Sequence, residues 1–447
     1  MSKAMKSSNW IACYLERLLL STAACGVRRI VAMALSTVLL QGTASFVPAY
    51  SKDTSMKSSM QVLLPVKELE QKFLKSVSQA KDSGNRDAVL KALLETAEFY
   101  VERGNHAGVE AVCKELLALP YDGKSQLAAK SRATAFTLLG KLYRSRMDPT
   151  DPHACFEQVD ACFEQALKIN EQVYGPNHLE VGKALYLLGL SYQWHAKHAP
   201  VERLFRRSMK IMKLALKNNP DQVDALRVVS YFYLLTGKEK QSIQTIRRAL
   251  LASQAPKFPD KLIAVEILDD MAQRCCFASE IESLYKRALL IVKTQAGPKA
   301  PQIVRVYNSL GSYYLSPTRV VFSPSSPNFV YGRLKEAESA YLAAKSVGDQ
   351  VLYPDSYQVG ITLDGLAQIA DIKGDHGNAT RLQEKALSVF QKVYPAESTC
   401  LSNHYRTMAR RYKASGDLVK AQHYDKLAQE LFLRTGGLPY PPRYVLE

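Results

Sequence analysis

The feature that most constrains the fold is an internal repeat with a period near 42 residues. Each copy pairs a Leu-Gly-x-x-Tyr segment, or a degenerate form of it, with a later small-x-x-x-aromatic-x-x-small segment. The first apolar residue of each copy falls at Leu93, Phe136, Leu185, Leu226, Val265, Tyr307, Leu363 and Tyr405. Repetition at this period is typical of arrays built from one supersecondary unit.

The spacing of the copies is regular once two insertions are recognised. Successive copies start 43, 49, 41, 39, 42, 56 and 42 residues apart. Each of the two long intervals contains a Pro-rich insertion between the halves of a copy, at 145–153 and at 316–331. The insertions add 7 and 14 residues, and without them both intervals become 42. We therefore predict eight copies of one structural unit.

One copy has the pattern of two helices. If the first apolar residue is position 4, then apolar residues at positions 4, 7, 8 and 11 share one face of a helix. Positions 20, 24 and 27 do the same for a second helix, and glycine turns separate the two, as at 236–238 and 373–375. A single pair cannot bury both apolar faces, so neighbouring pairs must stack. We predict an all-α solenoid of about eight stacked antiparallel helix pairs.

The repeat resembles a known family. Phe163–Tyr192 (FEQALKINEQVYGPNHLEVGKALYLLGLSY) resembles tetratricopeptide repeats of the long kind found in kinesin light chains and their bacterial relatives, and Leu284–Tyr314 does so next best. The resemblance implies a right-handed superhelix whose concave groove holds peptides or partner helices. The helix expected at Val66–Lys81 is too short for the coiled coil of kinesin light chain itself. A motor-adaptor role is therefore not implied.

Residues 1–49 differ from the rest of the chain and carry five bases, a single acid and the apolar run Ile30–Leu40. This pattern is typical of a secretory signal. We expect a leader at 1–49, a linker and N-terminal capping helix at 50–89, the solenoid at 90–435 and a Pro-rich tail at 436–447. The protein is then secreted or periplasmic, at the cell envelope; an uncleaved membrane anchor or an organellar transit peptide is the alternative. No run of about 18 apolar residues predicts a membrane span in the mature chain.

The motifs of common catalytic and cofactor sites do not occur. Residues 123–125 (Gly-Lys-Ser) end like a phosphate-binding loop, but Ala118 stands where the first glycine is required. His195 and His198 have no third ligand near them in sequence, so an exposed turn is favoured over a metal site. We expect no enzyme activity, no cofactor and no metal. The cysteines after residue 49 are expected to be buried free thiols, with a long-range disulfide as the alternative.

Positions 2, 5, 9 and 12 of each first helix form a second stripe, which in the tetratricopeptide family lines the concave groove. The candidate groove residues on this stripe are Tyr186, Arg227, Tyr231, Arg305, Asn308, Arg406, Arg410 and Lys413. Asn308 resembles the family's groove asparagines, which hydrogen-bond a peptide backbone. Arg406, Arg410 and Lys413 lie at i, i+4 and i+7, and this basic ladder suits a carboxylate-rich ligand. A solvated helix face is the alternative for the ladder.

Charge and pattern together favour a binding function. Lys and Arg total 59 against 42 Asp and Glu, a net charge of +17 that falls to +13 without residues 1–49. We expect a non-enzymatic protein–protein interaction scaffold that holds a peptide or protein segment, with an acidic segment suited to the ladder. The alternatives are a basic solenoid that binds nucleic acid or another anionic polymer, and a regulatory subunit of an enzyme complex. Nucleic acid is disfavoured because aromatic and basic residues do not interleave along one stripe.

Overall fold

The computed structural model describes residues 66–121, 125–146, 156–194, 198–219, 221–255, 258, 260, 262–274, 278–315, 333–396, 398 and 400–434. Within these ranges the regular structure consists of seventeen α-helices and contains no strand. The helices are α1 (Val66–Asp82), α2 (Arg86–Arg103), α3 (His106–Ala118), α4 (Gln126–Ser145), α5 (Glu157–Tyr174), α6 (Leu179–Trp194), α7 (His198–Asn218), α8 (Val223–Leu235), α9 (Glu239–Ser253), α10 (Ile263–Arg274), α11 (Ala278–Gln295), α12 (Pro301–Leu315), α13 (Leu334–Val351), α14 (Tyr357–Ile372), α15 (His376–Val393), α16 (Cys400–Ala414) and α17 (Leu418–Arg434).

Helices α2 to α17 form eight hairpins, and we number the hairpins one to eight along the chain. Each first helix packs on its own second helix, and each second helix packs on the first helix of the next hairpin. The predicted all-α solenoid of eight stacked helix pairs is therefore confirmed. Helix α1 precedes the first hairpin and packs on α2. The leader, the tail, the insertion 316–331 and most of the insertion 145–153 lie outside the described residues.

Turn and capping residues begin the second helices where the sequence predicts. Gly374 has φ 81°, a left-handed conformation that glycine adopts without steric strain. The side chain of Asp375 then accepts a hydrogen bond from the backbone N–H of Asn378, at 3.1 Å, and caps α15. Asn105 caps α3 in the same way and accepts from the N–H of Gly108 at 2.8 Å. Short capped turns of this kind keep the two helices of a hairpin antiparallel.

Inside a hairpin, a glycine of the first helix lies against an aromatic ring of the second. A β-carbon placed on Gly189 would lie 2.4 Å from the ring of Phe205, well inside van der Waals contact. The equivalent distance is 2.7 Å from Gly140 to Phe163. The small residue at position 8 therefore lets the helices approach until the ring at position 24 fills the space between them.

The apolar core runs through the stack and does not belong to single hairpins. One buried cluster includes Val223 and Ile246 of hairpin four, Leu268 and Ile281 of hairpin five, and Val306 of hairpin six. Burial of this surface supplies about 25 cal/mol for each Å² removed from water, so each hairpin is stabilised mainly by its neighbours. Among the helices of the described ranges, none is long and apolar enough to cross a membrane.

Hairpin one also touches the junction between hairpins six and seven. The backbone N–H of Tyr353 donates to the carbonyl of Arg103 at 3.2 Å, and the rings of Tyr100 and Tyr353 are 6.1 Å apart. A β-carbon on Gly104 would lie 2.2 Å from the hydroxyl oxygen of Ser356. Helices α2 and α12 are in contact at the same place. The stack therefore curves back onto itself within six hairpins.

Two of the predicted thiols are confirmed as buried and free. Cys113 and Cys162 make no disulfide and lie in the same apolar cluster. Burial raises the pKa of Cys113 to about 12 and that of Cys162 to about 11. Cys400 is free and half-buried. Burial keeps the first two in the unreactive thiol form at neutral pH.

Candidate binding surface on the inner wall

The first helices of the hairpins form one surface, which we call the inner wall. Charged and polar side chains on this surface join one first helix to the next, as Lys183 on α6 does with Asp224 on α8. The wall faces inward, because the contact between α2 and α12 brings the first helices of hairpins one and six together. Positions 2, 5, 9 and 12 of the repeat lie on this wall.

Hairpins three and four are joined by an ion pair. The Nζ of Lys183 lies 2.9 Å from carboxylate oxygens of both Asp224 and Glu180. Burial lowers the pKa of Lys183, but Asp224 and Glu180 outweigh it and hold that pKa above its usual value. Burial raises the pKa of Asp224, and Lys183 more than reverses this, so that the pKa lies below its usual value. The two groups therefore keep each other charged.

Arg227 was predicted as a groove residue, and the structure places it in a buried cluster with two acids. Only 2% of its side chain is exposed. Its Nη1 donates to Glu266 at 2.8 Å, while Nε and Nη2 donate to one oxygen of Asp270 at 3.2 and 3.0 Å. Burial lowers the pKa of Arg227, but the two carboxylates raise it above its usual range. The guanidinium is thus occupied by hairpin five, which corrects the expectation of an accessible groove contact.

Arg305, on α12, lies near enough to the same cluster to act on Glu266. Burial raises the pKa of Glu266 above its usual value, and Arg227 and then Arg305 act against that rise. Arg305 is half-buried. Hairpin six therefore adds a second cation to the cluster that Arg227 of hairpin four forms with the two acids of hairpin five.

Tyr186 and Tyr231 pack on each other across hairpins three and four. Their ring centroids are 5.5 Å apart in an edge-to-face arrangement, and the ring of Phe232 is 5.9 Å from Tyr186. Tyr186 is only 4% exposed, so it is a packing residue of the core and not an open groove contact. Tyr231 is half-buried at the edge of the same aromatic cluster.

Asn308 on α12 is also satisfied within the chain. Its Nδ2 donates to the backbone carbonyl and to the side-chain oxygen of Gln358, at 2.9 and 3.0 Å. Its Oδ1 accepts a hydrogen bond from the hydroxyl of Thr362 at 2.8 Å. The residue is 2% exposed. The predicted bond to a peptide backbone is therefore replaced by a bond to the backbone at the start of α14.

The basic ladder of Arg406, Arg410 and Lys413 is different, because all three side chains are exposed on α16. None of them forms an ion pair with a carboxylate in the described part of the chain. Their neighbour Arg411 is buried and lies 2.8 Å from Asp371 on α14. Of the eight predicted groove residues, these three are the ones that the fold leaves exposed.

Sequence reasoning missed two residues of the wall, Lys141 and Arg144 on α4. They occupy positions 9 and 12 of the second repeat, so the same stripe, extended to that repeat, would have found them. The Nζ of Lys141 exposes less than 1 Å² and has no hydrogen-bond partner in the structure described. Arg144 is 7% exposed. A pair of buried cations was not foreseeable from the pattern, because long basic side chains usually reach solvent.

Of three comparisons with known proteins, only the one with solved structures finds matches. No family model matches the chain, and no curated protein is similar to it in sequence. The chain is similar to BtubC (BKLC) from P. vanneervenii, at 19% identity over 53% of this chain and 92% of that one, with a TM-score of 0.43. It is similar to a human IFIT1 dimer with PPP-AAAA, at 13% identity over 82% and 84%, with a TM-score of 0.40. An IFIT1 monomeric mutant with m7Gppp-AAAA gives 14% identity over 82% and 77%, with a TM-score of 0.40. The hairpin contacts by themselves make the chain an all-α helical solenoid.

Proposed function

We propose that the protein is a non-enzymatic interaction scaffold of the kinesin-light-chain type of tetratricopeptide solenoid. In this proposal, hairpin eight holds an acidic segment of a protein partner against the inner wall. The observation that carries the proposal is the exposed basic ladder on α16, because the other strongly charged groups of hairpins three to five are already paired within the chain. A cluster of exposed cations beside no acid attracts carboxylates of a partner.

The ion pairs between neighbouring first helices support the choice of hairpin eight as the binding position. Asp364 and Asp371 on α14 stand at positions 5 and 12 and face hairpin eight, where they approach His404 at 3.8 Å and Arg411 at 2.8 Å. The basic ladder stands at positions 5, 9 and 12 of α16, on the opposite side of that helix from His404 and Arg411. No further hairpin covers this side among the described residues. The ladder therefore occupies the place where a next helix would contact the wall.

The Arg227 cluster indicates what such a helix would carry. Glu266 and Asp270 are four residues apart on α10, so they lie on one face and bind one guanidinium together. A partner helix with acids at i and i+4 would meet Arg406 or Arg410 in the same way. The proposed partner is therefore an acidic amphipathic helix that extends the stack by one helix.

Fluorescence anisotropy with a labelled helical peptide tests the proposal. The peptide carries Glu pairs at i and i+4, and a control peptide carries Gln at the same positions. We expect binding of the Glu peptide to weaken at least about tenfold in the variant Arg406→Gln/Arg410→Gln/Lys413→Gln, and to weaken with added salt. Equal binding of both peptides would refute the acidic-partner proposal.

A charge-matched control separates the ladder from net charge. Arg203, Arg247 and Lys213 are exposed on the second helices α7 and α9, away from the inner wall. Their triple glutamine variant loses the same three charges and should keep the affinity for the Glu peptide. A single-stranded oligonucleotide that binds the wild type through the ladder, and displaces the peptide, would favour the anionic-polymer alternative.

Export is a separate part of the proposal and rests on the pattern of residues 1–49. Their basic start, apolar run and small residues are those of a secretory signal. N-terminal sequencing of the protein from its native source should begin near residue 45 or 50. A mature protein that retains residues 1–44 would contradict cleavage and favour an uncleaved anchor.

A further inference from the structure

The cations of the second helices are concentrated in hairpins three to five. Helices α7, α9 and α11 carry twelve Lys and Arg residues against four Asp and Glu. The other five second helices, α3, α5, α13, α15 and α17, carry ten against twelve. The side of the stack away from the inner wall is therefore strongly basic over three successive hairpins, and the scaffold function needs none of these residues.

Helices α7, α9 and α11 lie side by side. Arg287 of α11 donates to the side chain of Gln254, the residue after α9, at 2.6 Å. Arg248 of α9 likewise lies 3.3 Å from Asp221, three residues after α7. Both arginines stand at position 26 of their repeats, and each contacts the end of the preceding second helix. The exposed faces of the three helices therefore form one continuous surface.

This surface combines cations with leucines. Positions 22, 25, 29, 32 and 36 share it, because they follow one another at spacings of three and four along a helix. No Asp or Glu occupies these positions in α7, α9 or α11. The cations at these positions, all of them exposed, are Arg203, Arg206, Lys210, Lys213 and Lys217 on α7, Arg247 on α9, and Lys286 and Lys293 on α11. Together with Leu251 and Leu290 at position 29, they form what we call the outer basic face.

Most cations of the outer basic face have no acid beside them. Arg206 pairs with Glu202 and Lys286 pairs with Glu282, each within its own helix. The Arg206 pair is 78% and 56% exposed, and exposed pairs of this kind contribute little, so an external anion can replace the glutamate. The six other cations form no ion pair with a carboxylate in the described ranges. The face therefore attracts a ligand that presents many negative charges.

The two leucines indicate which kind of anionic ligand fits. Leu251 and Leu290 are 69% and 62% exposed, although they lie among Lys and Arg side chains of successive hairpins. Exposed leucines within a basic surface are typical of proteins that bind at the boundary between lipid headgroups and acyl chains. Nucleic-acid phosphates offer an apolar side chain no partner. No aromatic residue occupies these positions within the three helices, so bases of a single strand have nothing to stack on.

We propose that the outer basic face binds the surface of an anionic lipid membrane. Its Lys and Arg side chains contact the lipid phosphates, and Leu251 and Leu290 enter the boundary between headgroups and acyl chains. The protein then lies on the membrane through its second helices, which leaves the inner wall accessible to a partner. This membrane contact goes beyond the scaffold function and does not depend on the basic ladder of α16.

Cosedimentation of the full chain with lipid vesicles tests the membrane contact. One set of vesicles contains phosphatidylglycerol and phosphatidylcholine in equal parts, and the control set contains phosphatidylcholine alone. We expect binding to the anionic vesicles that exceeds binding to the control and weakens with added salt. Equal binding to the two sets, or binding to neither, overturns the proposal.

A charge variant assigns the binding to the outer basic face. Each Lys or Arg close to an anionic surface raises affinity about fivefold, so Arg203→Gln/Lys213→Gln/Arg247→Gln should bind the anionic vesicles about a hundredfold more weakly. The three side chains are exposed, so the helices should form as in the wild type, which circular dichroism checks. Every variant retains residues 1–49, so any contribution of that basic segment is common to all. Unchanged binding in this variant would refute the assignment.

The matched control removes the same charge from neighbouring second helices. Lys335→Gln/Arg381→Gln/Lys385→Gln replaces three exposed cations of α13 and α15, and it should bind the anionic vesicles like the wild type. A loss equal to that of the first variant would show that net charge alone governs binding, and the proposal would be wrong. The triple glutamine variant of the basic ladder should also bind vesicles normally, which separates this test from that of the proposed function.

The leucines distinguish a membrane from duplex DNA, whose phosphates also attract cations. Leu251→Ser/Leu290→Ser keeps the charge of the face and should weaken binding to the anionic vesicles at least about tenfold. The same variant should leave any salt-sensitive binding of a DNA duplex unchanged. A chain that binds the duplex but not the vesicles, or a serine variant that binds vesicles like the wild type, would contradict the membrane contact.

Tryptophan fluorescence shows which part of the molecule meets the lipid. In Leu251→Trp, anionic vesicles should shift the emission to shorter wavelength, and brominated acyl chains should quench it. Leu342→Trp on α13, where the leucine is 50% exposed, is the matched control and should respond much less. Trp10 and Trp194 contribute the same background to both variants. Any result other than a larger response at position 251 would refute the proposed orientation on the membrane.

Discussion

Replacement of Arg227 by methionine tests how the inner wall couples neighbouring hairpins. The change keeps an unbranched apolar side chain but removes a guanidinium that is 2% exposed and makes three charge-assisted hydrogen bonds, at 2.8, 3.0 and 3.2 Å. It leaves Glu266 and Asp270 without their shared cation. The loss of one partner from a buried ion pair destabilises proteins by about 3–5 kcal/mol, and we expect a loss in this range.

The matched control is Arg248→Met. Arg248 also pairs with an acid, Asp221, at 3.3 Å, but the two side chains are 51% and 72% exposed. Exposed pairs contribute about 0–1 kcal/mol, so this variant should unfold almost like the wild type. The two substitutions are chemically identical, but Arg227 is buried beside two acids of the next hairpin, whereas Arg248 is exposed beside one acid.

Urea unfolding followed by far-UV circular dichroism and by tyrosine fluorescence measures both free energies. Two probes are needed, because a long array can lose cooperativity when one interface weakens. The defect of Arg227→Met should shrink as the pH falls towards the pKa of Glu266, which burial holds above the ordinary glutamate value of about 4.3, because protonated acids no longer need a cation. Addition of Glu266→Gln and Asp270→Asn to Arg227→Met should recover part of the loss.

Two outcomes would refute this reasoning. A loss below about 1 kcal/mol in Arg227→Met, equal to that of Arg248→Met, would show that burial of the cluster adds nothing to the stability of the wall. A loss that is large but independent of pH, and that neutral acids do not relieve, would show that packing of the side chain matters and its charge does not.

Three further results are expected. Gly189→Ala should lower the free energy of unfolding by about 1–3 kcal/mol, because the new β-carbon overpacks the hairpin. Gly377→Ala is the control in the same thermal unfolding assay and should leave the free energy unchanged, because no atom lies within 4 Å of its new β-carbon. Asp224→Asn should destabilise the protein by about 2 kcal/mol at pH 7. The pKa of Asp224 is lowered in the folded protein, so in acid titrations the difference in free energy of unfolding between variant and wild type should close as the pH falls below about 4. Gly104→Ala combines φ 74° with a 2.2 Å approach to Ser356, so small-angle scattering should show a larger radius of gyration; an unchanged radius would contradict a closing role for this contact.

The repeat frame groups the candidate residues on one surface but does not predict their accessibility. Position 5 of the frame holds Arg227, Asn308 and Arg406, and all three lie on the inner wall. Arg227 and Asn308 are 2% exposed because the next hairpin supplies their hydrogen-bond partners. Arg406 is exposed on the last described hairpin. Helical periodicity predicts the face of the helix on which a side chain lies. The hydrogen-bond partner of that side chain comes from a helix some 40 to 50 residues later in the chain.

The sequence by itself determined the local architecture of this protein: two helices in each repeat, glycine turns between them, the close approach of a glycine to a ring in hairpins such as two and three, and the number of hairpins. These features depend on residues within one repeat, so a period of about 42 residues displays them directly. Only the tertiary structure decided that Tyr353 meets Arg103 and that Lys141 lies among charges of hairpins three to five. Contacts of this kind depend on small rotations between hairpins, which accumulate along the stack. No pattern within a single repeat determines the accumulated rotation.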